Sequence, residues 1–245
     1  MGLEFSRQLA AKGYTLLMVS NRADELESAA AAIREEFHVR VESRCIDLSV
    51  HGAARDVIAW CDETALEPSV LINNAGMFFM KYLSAHILPK ADAMMALHIE
   101  TVTDLCVLVG ERMKARGEGH ILNMSSLTAR LPAPGIAIYS ASKAYLKSFG
   151  KSLSYELRPY GVSVTTVCPA AVDTSLYPLS PGMRKTLRGI GILWTPRKLV
   201  SRALRAMRRG RRVVSPGLVN VILPPLIAAL PSRLIDHLGM KWINK

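Results

Sequence analysis

Residues 120–169, HILNMSSLTARLPAPGIAIYSASKAYLKSFGKSLSYELRPYGVSVTTVCP, read as a strand, a helix and a second strand in succession. HILNMSS (120–126) is a short apolar run that ends in polar residues. From about Ser140 a helix follows, with Phe149, Leu153 and Leu157 on its apolar side. VSVTTVCP (162–169) is β-branched and is stopped by Pro169.

The same alternation extends outward in both directions. TLLMV (15–19) reads as a buried strand, and Leu26, Ala29, Ala30, Ile33 and Phe37 then recur at helical spacing. VRVESRCID (39–47) alternates like a strand, and SVLIN (69–73) is a short apolar strand. Leu97, Thr101, Leu105, Leu108 and Met113 predict a long helix, and RRVVSP (211–216) a last strand at the sheet edge. Strands alternating with helices are the mark of an α/β fold, a doubly wound parallel sheet covered on both faces. No internal repeat, low-complexity tract or long linker divides the 245 residues, which predicts one domain over 1–245.

Composition narrows the function classes. Cys45, Cys61, Cys106 and Cys168 lie far apart with no metal-ligand spacing, which predicts reduced thiols, no metal site and a cytoplasmic setting. No stretch approaches the roughly 20 apolar residues of a membrane span. The longest candidate, 219–230, is broken by Asn220, Pro224 and Pro225. The opening MGLEFSRQ lacks the basic-then-apolar pattern of a signal peptide. Charge is segregated: residues 1–173 carry −2, and residues 174–245 carry +13 with Asp236 as their single acid. That asymmetry points to an acidic partner for the last third.

In open parallel sheets, ligands bind beyond the carboxyl ends of the strands. Ser20-Asn21-Arg22, Asp47-Leu48, Asn73-Asn74-Ala75-Gly76, Ser125-Ser126 and Pro169 each fall at such an end. Tyr139 and Lys143 stand four residues apart, one helical turn on one face. A free tyrosine, with a pKa of about 10, is a poor acid or base at neutral pH. A neighbouring ammonium favours the phenolate and brings that value closer to working pH. Ser126, at a strand end thirteen residues before Tyr139, is placed to polarise a substrate oxygen.

NNAG (73–76), the Ser126, Tyr139 and Lys143 spacing, and the segment from Pro169 to Thr174 make the chain resemble the short-chain dehydrogenase/reductase family over nearly its whole length. Within it, 121–153 is most similar to a branch that includes bacterial oxidoreductases and relatives of 3-ketoacyl and hydroxysteroid reductases. The resemblance implies a Rossmann-like fold, with a cofactor half to about residue 125, a catalytic and substrate half over about 126–217, and a basic and apolar end, 218–245. It implies hydride transfer between NADP(H) and a carbonyl or secondary alcohol, in a homodimer or homotetramer.

Residue roles follow from the same resemblance. Tyr139 is the expected general acid in reduction, Lys143 the group that holds the nicotinamide ribose, and Ser126 the donor to the carbonyl. Asp47 and Leu48 meet the adenine, while Asn74, Ala75 and Gly76 line the ribose and diphosphate. Pro169, the Val172 backbone and Thr174 hold the nicotinamide half. Ser20, Asn21 and Arg22 stand where the family chooses its dinucleotide. Arg22 is either a solvated loop charge or a cation for a 2′-phosphate, and the latter selects NADP. The segment 176–195 is the expected substrate lid, and its Leu176, Tyr177, Leu179, Met183 and Leu187 imply a moderately apolar substrate.

Three positions depart from the family's pattern. His98 replaces an asparagine of a proton relay, and it takes over the hydrogen bonding, adds a titratable group or is merely tolerated. Ala170 replaces a glycine after Pro169. The match also begins inside the family's glycine-rich phosphate turn, with Gly2 as its closing glycine and 3–13 as the first helix with its glycine stop. Met1 is therefore expected not to be the start of the working enzyme, with roughly a dozen residues, a strand and most of the turn, lying upstream. That absent strand would run between TLLMV and SVLIN, so both should show unpaired edges.

Residues 184–212 hold eleven Lys and Arg and no acid, ahead of the apolar segment 218–230. They form a solvated helix face with a packing segment, a contact for an anionic membrane surface, or an attractor for phosphate-bearing acyl carriers. Nucleic acid is disfavoured, because the patch lacks aromatic residues and a reader motif. A non-catalytic dinucleotide-binding regulator, an inactive truncated family member, a membrane-surface scaffold, and a membrane-associated ketoacyl or steroid-type reductase are the rival readings.

Overall fold

The computed structural model describes residues 1–131, 133–174, 180–189, 192–217, 219–229 and 231. Helices and strands alternate as α1 (Gly2–Ala10), β1 (Leu16–Ser20), α2 (Ala23–Phe37), β2 (Val41–Cys45), α3 (Ala53–Thr64) and β3 (Val70–Asn73). They continue as α4 (Leu88–Met95), α5 (Thr101–Arg116), β4 (Gly119–Met124), α6 (Ala137–Leu157) and β5 (Val162–Val167). The described end of the chain holds α7 (Pro181–Gly189), α8 (Pro196–Arg208), the short β6 (Val213–Val214) and α9 (Val219–Ala228).

Among the described residues every strand pairing is parallel. The order is β3-β4-β5-β6 in one sheet and β1-β2 in another. Among the described residues no ladder joins β1 to β3, so each keeps one edge unpaired; these are the two edges named above. Leu16 and Met18 of β1 and Val70 and Ile72 of β3 nevertheless enter one apolar cluster.

Strand periodicity explains why both faces need helices. Along β4, Ile121 enters a cluster with Val102, Cys106, Val109 and Leu146 from α5 and α6. The next residue, Leu122, faces the opposite way, into Phe5, Leu199, Leu204 and Met207 from α1 and α8. Each fully buried leucine or isoleucine of this kind contributes roughly 1.5–3 kcal/mol.

Three buried polar residues lie in register across the sheet: Asn73 pairs with Asn123 and Asn123 with Thr166. Asn73 Nδ2 donates to Asn123 Oδ1 at 2.8 Å. Helix α6 crosses this row at Gly150, where an added Cβ would lie 2.1 Å from Thr166 Oγ1 and 3.3 Å from Asn123 Nδ2. The glycine lets α6 lie flat on the sheet and carries its first turns over the strand ends. Gly150→Ala should therefore destabilise the fold by about 1–3 kcal/mol through overpacking, against a helix-propensity gain of about 1 kcal/mol. Urea unfolding checks this; an unchanged or raised midpoint would contradict it.

The helical run Ala85–Arg116 corrects the expectation about apolar stretches, since by length and composition it is long enough to cross a membrane. More than half of its apolar window is buried, and Val102, Cys106, Val109 and Met113 pack against β4 and β5. Between α4 and α5 this run widens into a π-turn, Ala96–Glu100, that contains His98.

Candidate active site

With every pairing in the β3-β4-β5-β6 sheet parallel, the ends of β3, β4 and β5 open toward one edge of the fold. Helix α6 starts at Ala137, three residues before the expected Ser140. The Pro-Gly turn at 134–135 ends just before it, and Ser140 N–H already bonds the Ile136 carbonyl at 2.8 Å. Tyr139 thus lies in the first turn.

Tyr139 and Lys143 are both buried. Lys143 Nζ lies 5.6 Å from the centroid of the Tyr139 ring. The ammonium donates to the Met124 carbonyl at 3.1 Å, and Ser125 Oγ donates to the Lys143 carbonyl at 2.7 Å. Two bonds therefore fix α6 to the end of β4, beside Ser126. Burial pushes the Lys143 pKa down from 10.5 to about 8, slightly offset by the nearby Cys168. Ser126 Oγ accepts from Thr128 N–H at 3.2 Å, which leaves its single O–H to donate elsewhere. Leu127 N–H bonds the Pro169 carbonyl at 2.7 Å, which ties the Ser126 loop to the end of β5.

His98 is completely buried. Its Nε2 accepts from Met77 N–H at 3.1 Å, and its Nδ1 lies 2.9 Å from Ser142 Oγ. Ser142 Oγ in turn donates to the Tyr139 carbonyl at 2.8 Å. A hydroxyl has one proton, so His98 carries its own on Nδ1 and donates to Ser142. Burial, with Lys143 nearby, pushes the His98 pKa down to about 2. Of the three readings of His98, these contacts support the one in which it takes over the hydrogen bonding. His98 is a neutral brace between the segment after β3 and the Tyr139 turn, held in place by the π-turn.

The brace makes a specific prediction. His98→Leu leaves Met77 N–H and Ser142 Oγ without their buried partner, at about 1–3 kcal/mol for each group. His98→Asn, which keeps a donor and an acceptor, should retain most of the stability and activity. Because His98 stays neutral, the parent and His98→Asn should share one shape of pH–activity profile from pH 5 to 8. A limb near pH 6.5 present only in the parent would contradict this assignment.

The glycines mark close approach. A Cβ on Gly76 would lie 3.0 Å from His98 Nε2 and 3.7 Å from Lys143 Nζ, and one on Gly2 would lie 3.2 Å from Asn74 Nδ2. Asn74 Oδ1 is buried without a hydrogen-bond partner among the described residues, while Ala75 and Gly76 are exposed. Val172 is buried, and Thr174 N–H bonds its carbonyl at 2.9 Å.

A second group stands across the sheet interruption. Ser20 ends β1, and Asn21 and Arg22 follow it, both exposed. The Arg22 guanidinium pairs with Glu25 at 2.7 Å in solvent. Asp47 accepts from both N–H and Oγ of Ser49, which hold its carboxyl below the usual carboxylate range. Leu48 follows it, its carbonyl accepting from Thr101 Oγ1 at 2.8 Å.

Three features escaped the reading of the sequence. Phe78 meets Tyr139 edge-on at 4.9 Å, and Met77, Phe79, Ile136, Ile138 and Met94 complete an apolar wall there. Ser142 links His98 to Tyr139 from within the quoted YSASK. Asp173, its side chain buried, forms ion pairs with Arg184 and Arg188, binding α7 to the end of β5. Of the expected lid, Met183 is exposed and Leu187 half-buried, while Leu176, Tyr177 and Leu179 lie outside the described residues. All four cysteines are free thiols, and only Cys45 is exposed.

Residues 1–180 match the family profile described as short chain dehydrogenase. Over 251 aligned residues the chain is 28% identical to the very-long-chain 3-oxoacyl-CoA reductase of Macaca fascicularis, covering all of this chain and 76% of that protein. The protein of the same name from Aspergillus fumigatus is 32% identical, over 89% of this chain and 61% of its own length. A solved short-chain dehydrogenase from Sphingobium yanoikuyae, in complex with NADPH, superposes with a TM-score of 0.77 at 26% identity, covering 94% of this chain and 92% of that one. A 7β-hydroxysteroid dehydrogenase shares the fold with a TM-score of 0.85 at 23% identity, over 97% and 93% of the two chains.

Proposed function

The chain belongs to the short-chain dehydrogenase family, and on that premise we propose that it transfers hydride between NADP(H) and the 3-oxo carbon of a long-chain acyl thioester. The observation that carries this reading is the buried pair of Lys143 and Tyr139, with Nζ 5.6 Å from the ring and anchored on the Met124 carbonyl. Beside it stands Ser126, whose O–H donates to no partner among the described residues. Two oxygen donors and a fixed ammonium at the strand ends suit one chemistry, the protonation of a carbonyl oxygen as it becomes an alcohol.

In reduction, the Ser126 O–H donates a hydrogen bond to the carbonyl oxygen and orients it. The Tyr139 phenol gives its proton to that oxygen, and Lys143 stabilises the phenolate left behind. The phenol regains a proton from solvent before the next turnover. A bound nicotinamide supplies the hydride. The residues present fit such a dinucleotide. Gly2, Ala75 and Gly76 leave backbone accessible, the unpartnered Asn74 Oδ1 suits a ribose hydroxyl, and Arg22 offers a cation for a 2′-phosphate. The apolar wall around Tyr139 favours a hydrocarbon substituent next to the carbonyl, as do the names of the macaque and fungal relatives.

The test is consumption of NADPH with 3-oxoacyl-CoA substrates of increasing chain length. The expected result is a kcat/KM that rises with length, since each buried methylene contributes up to about 0.8 kcal/mol. Absence of turnover with every 3-oxoacyl thioester, or a preference for the shortest, would overturn the substrate assignment.

Cofactor choice has its own test. NADPH should be preferred over NADH, and Arg22→Ala should erode that preference about tenfold or more, the worth of a charge-assisted phosphate contact. The competing Glu25 pair is exposed on both sides and contributes little. Equal kcat/KM with the two dinucleotides in the parent would contradict this.

A further inference from the structure

A groove with about 370 Å³ of free volume runs between α1 and α8, lined by Gln8, Lys12, Ser201, Arg205 and Arg208 among others. It lies toward the far end of α1 from Gly2, beginning at Gln8 about 9 Å along the axis and continuing past Ala10 at about 12 Å. It is therefore separate from the catalytic cluster. Among the described residues, three cations and no carboxylate line it. Lys12, Arg205 and Arg208 are exposed, and none forms an ion pair among the described residues. Gln8 Nε2 donates to Glu4 at 2.7 Å within α1 and to the Arg197 carbonyl at 3.1 Å, which links the two helices beside the groove.

Helix α8 extends the same surface. Its Leu199, Val200, Ala203, Leu204 and Met207 are buried in the core, and Arg197, Lys198, Arg202, Arg205 and Arg208 all face solvent. The fold thus anchors one side of this helix and leaves the other as a strip of positive charge beside an open groove.

We propose that the α1–α8 groove seats the phosphate of an acidic lipid headgroup and docks the protein on an anionic membrane surface. A soluble phosphate compound would engage only the groove. Arg197, Lys198 and Arg202 flank it on the same exposed face, where a bilayer of many headgroups meets them together.

The experiment is co-sedimentation of the full chain with vesicles of phosphatidic acid in phosphatidylcholine, beside pure phosphatidylcholine. Binding is expected only to the acidic vesicles at low salt, and should weaken near 0.5 M salt as the Debye length falls to a few ångströms. Lys12→Gln, Arg205→Gln and Arg208→Gln together should weaken it on the order of 100-fold, and Arg208→Gln alone about fivefold. The triple Arg55→Gln, Lys90→Gln and Lys151→Gln removes the same charge from exposed positions elsewhere, and should stay within a few-fold of the parent. Equal losses in the two triples, or no sedimentation at low salt, would overturn the proposal. Pyrophosphate that binds the groove as tightly without vesicles as lipid does would assign the site to a soluble phosphate instead. Should the groove triple fail to fold, an Arg208→Gln variant that binds like the parent overturns it equally.

Discussion

Tyr139→Phe is expected to lower turnover by roughly 10²–10⁴-fold, the usual worth of a positioned general acid, while NADPH affinity stays within a few-fold of the parent. The substitution removes the hydroxyl and keeps the ring. The edge contact with Phe78 at 4.9 Å and the approach of Lys143 to the ring face both survive. The backbone carbonyl that accepts from Ser142 is unchanged, so the His98 brace also remains. Fluorescence titration with NADPH and the decay of NADPH absorbance separate the two quantities. A variant that retains most of its kcat would remove Tyr139 from the chemistry.

Lys143→Met is expected to cost a comparable factor in turnover, and to leave a distinct signature in stability. With a folded pKa of about 8 against 10.5, Lys143 is protonated in both states below pH 8 and in neither above 10.5. Between those values the unfolded chain holds the extra proton, so this group makes stability rise with pH across the window. It contributes on the order of 3 kcal/mol, full above pH 10.5 and lost as pH falls through 8. Lys143→Met should abolish that rise. Urea unfolding of the cofactor-free protein at pH 7.5 and 10 measures it; a parent whose stability falls across this interval while the variant behaves identically would show that Lys143 is not held as described.

The strands and most helices were legible because their apolar residues keep period 2 or 3.6 over enough positions. The order of the strand-end motifs was legible for the same reason, and it placed Ser126, Tyr139 and Lys143 on one edge. The structure brings Tyr139 and Lys143 together, beside the loop that carries Ser126. What the sequence left open depends on contacts between distant residues. His98 had three readings, and only the bonds to Met77 and Ser142 choose among them. The π-turn adds one residue to a single helical turn, a shift too local for periodicity read over a long apolar run to reveal. Asp173 stands in the quoted segment after Pro169, yet its partners Arg184 and Arg188 lie eleven and fifteen residues on, across 175–179. The early start of α6 reflects turn chemistry at 134–135 that the apolar pattern of Phe149, Leu153 and Leu157 does not reach.

Transfer of a labelled hydride tests the central claim most directly. NADPH deuterated at the reactive carbon of its nicotinamide is mixed with a long-chain 3-oxoacyl-CoA and the full chain, and the product is analysed by mass spectrometry. The account predicts a 3-hydroxyacyl product carrying one deuterium at C3, formed by the parent and lost with Tyr139→Phe. Consumption of NADPH without deuterium at C3, or equal labelling by the parent and Tyr139→Phe, would contradict it.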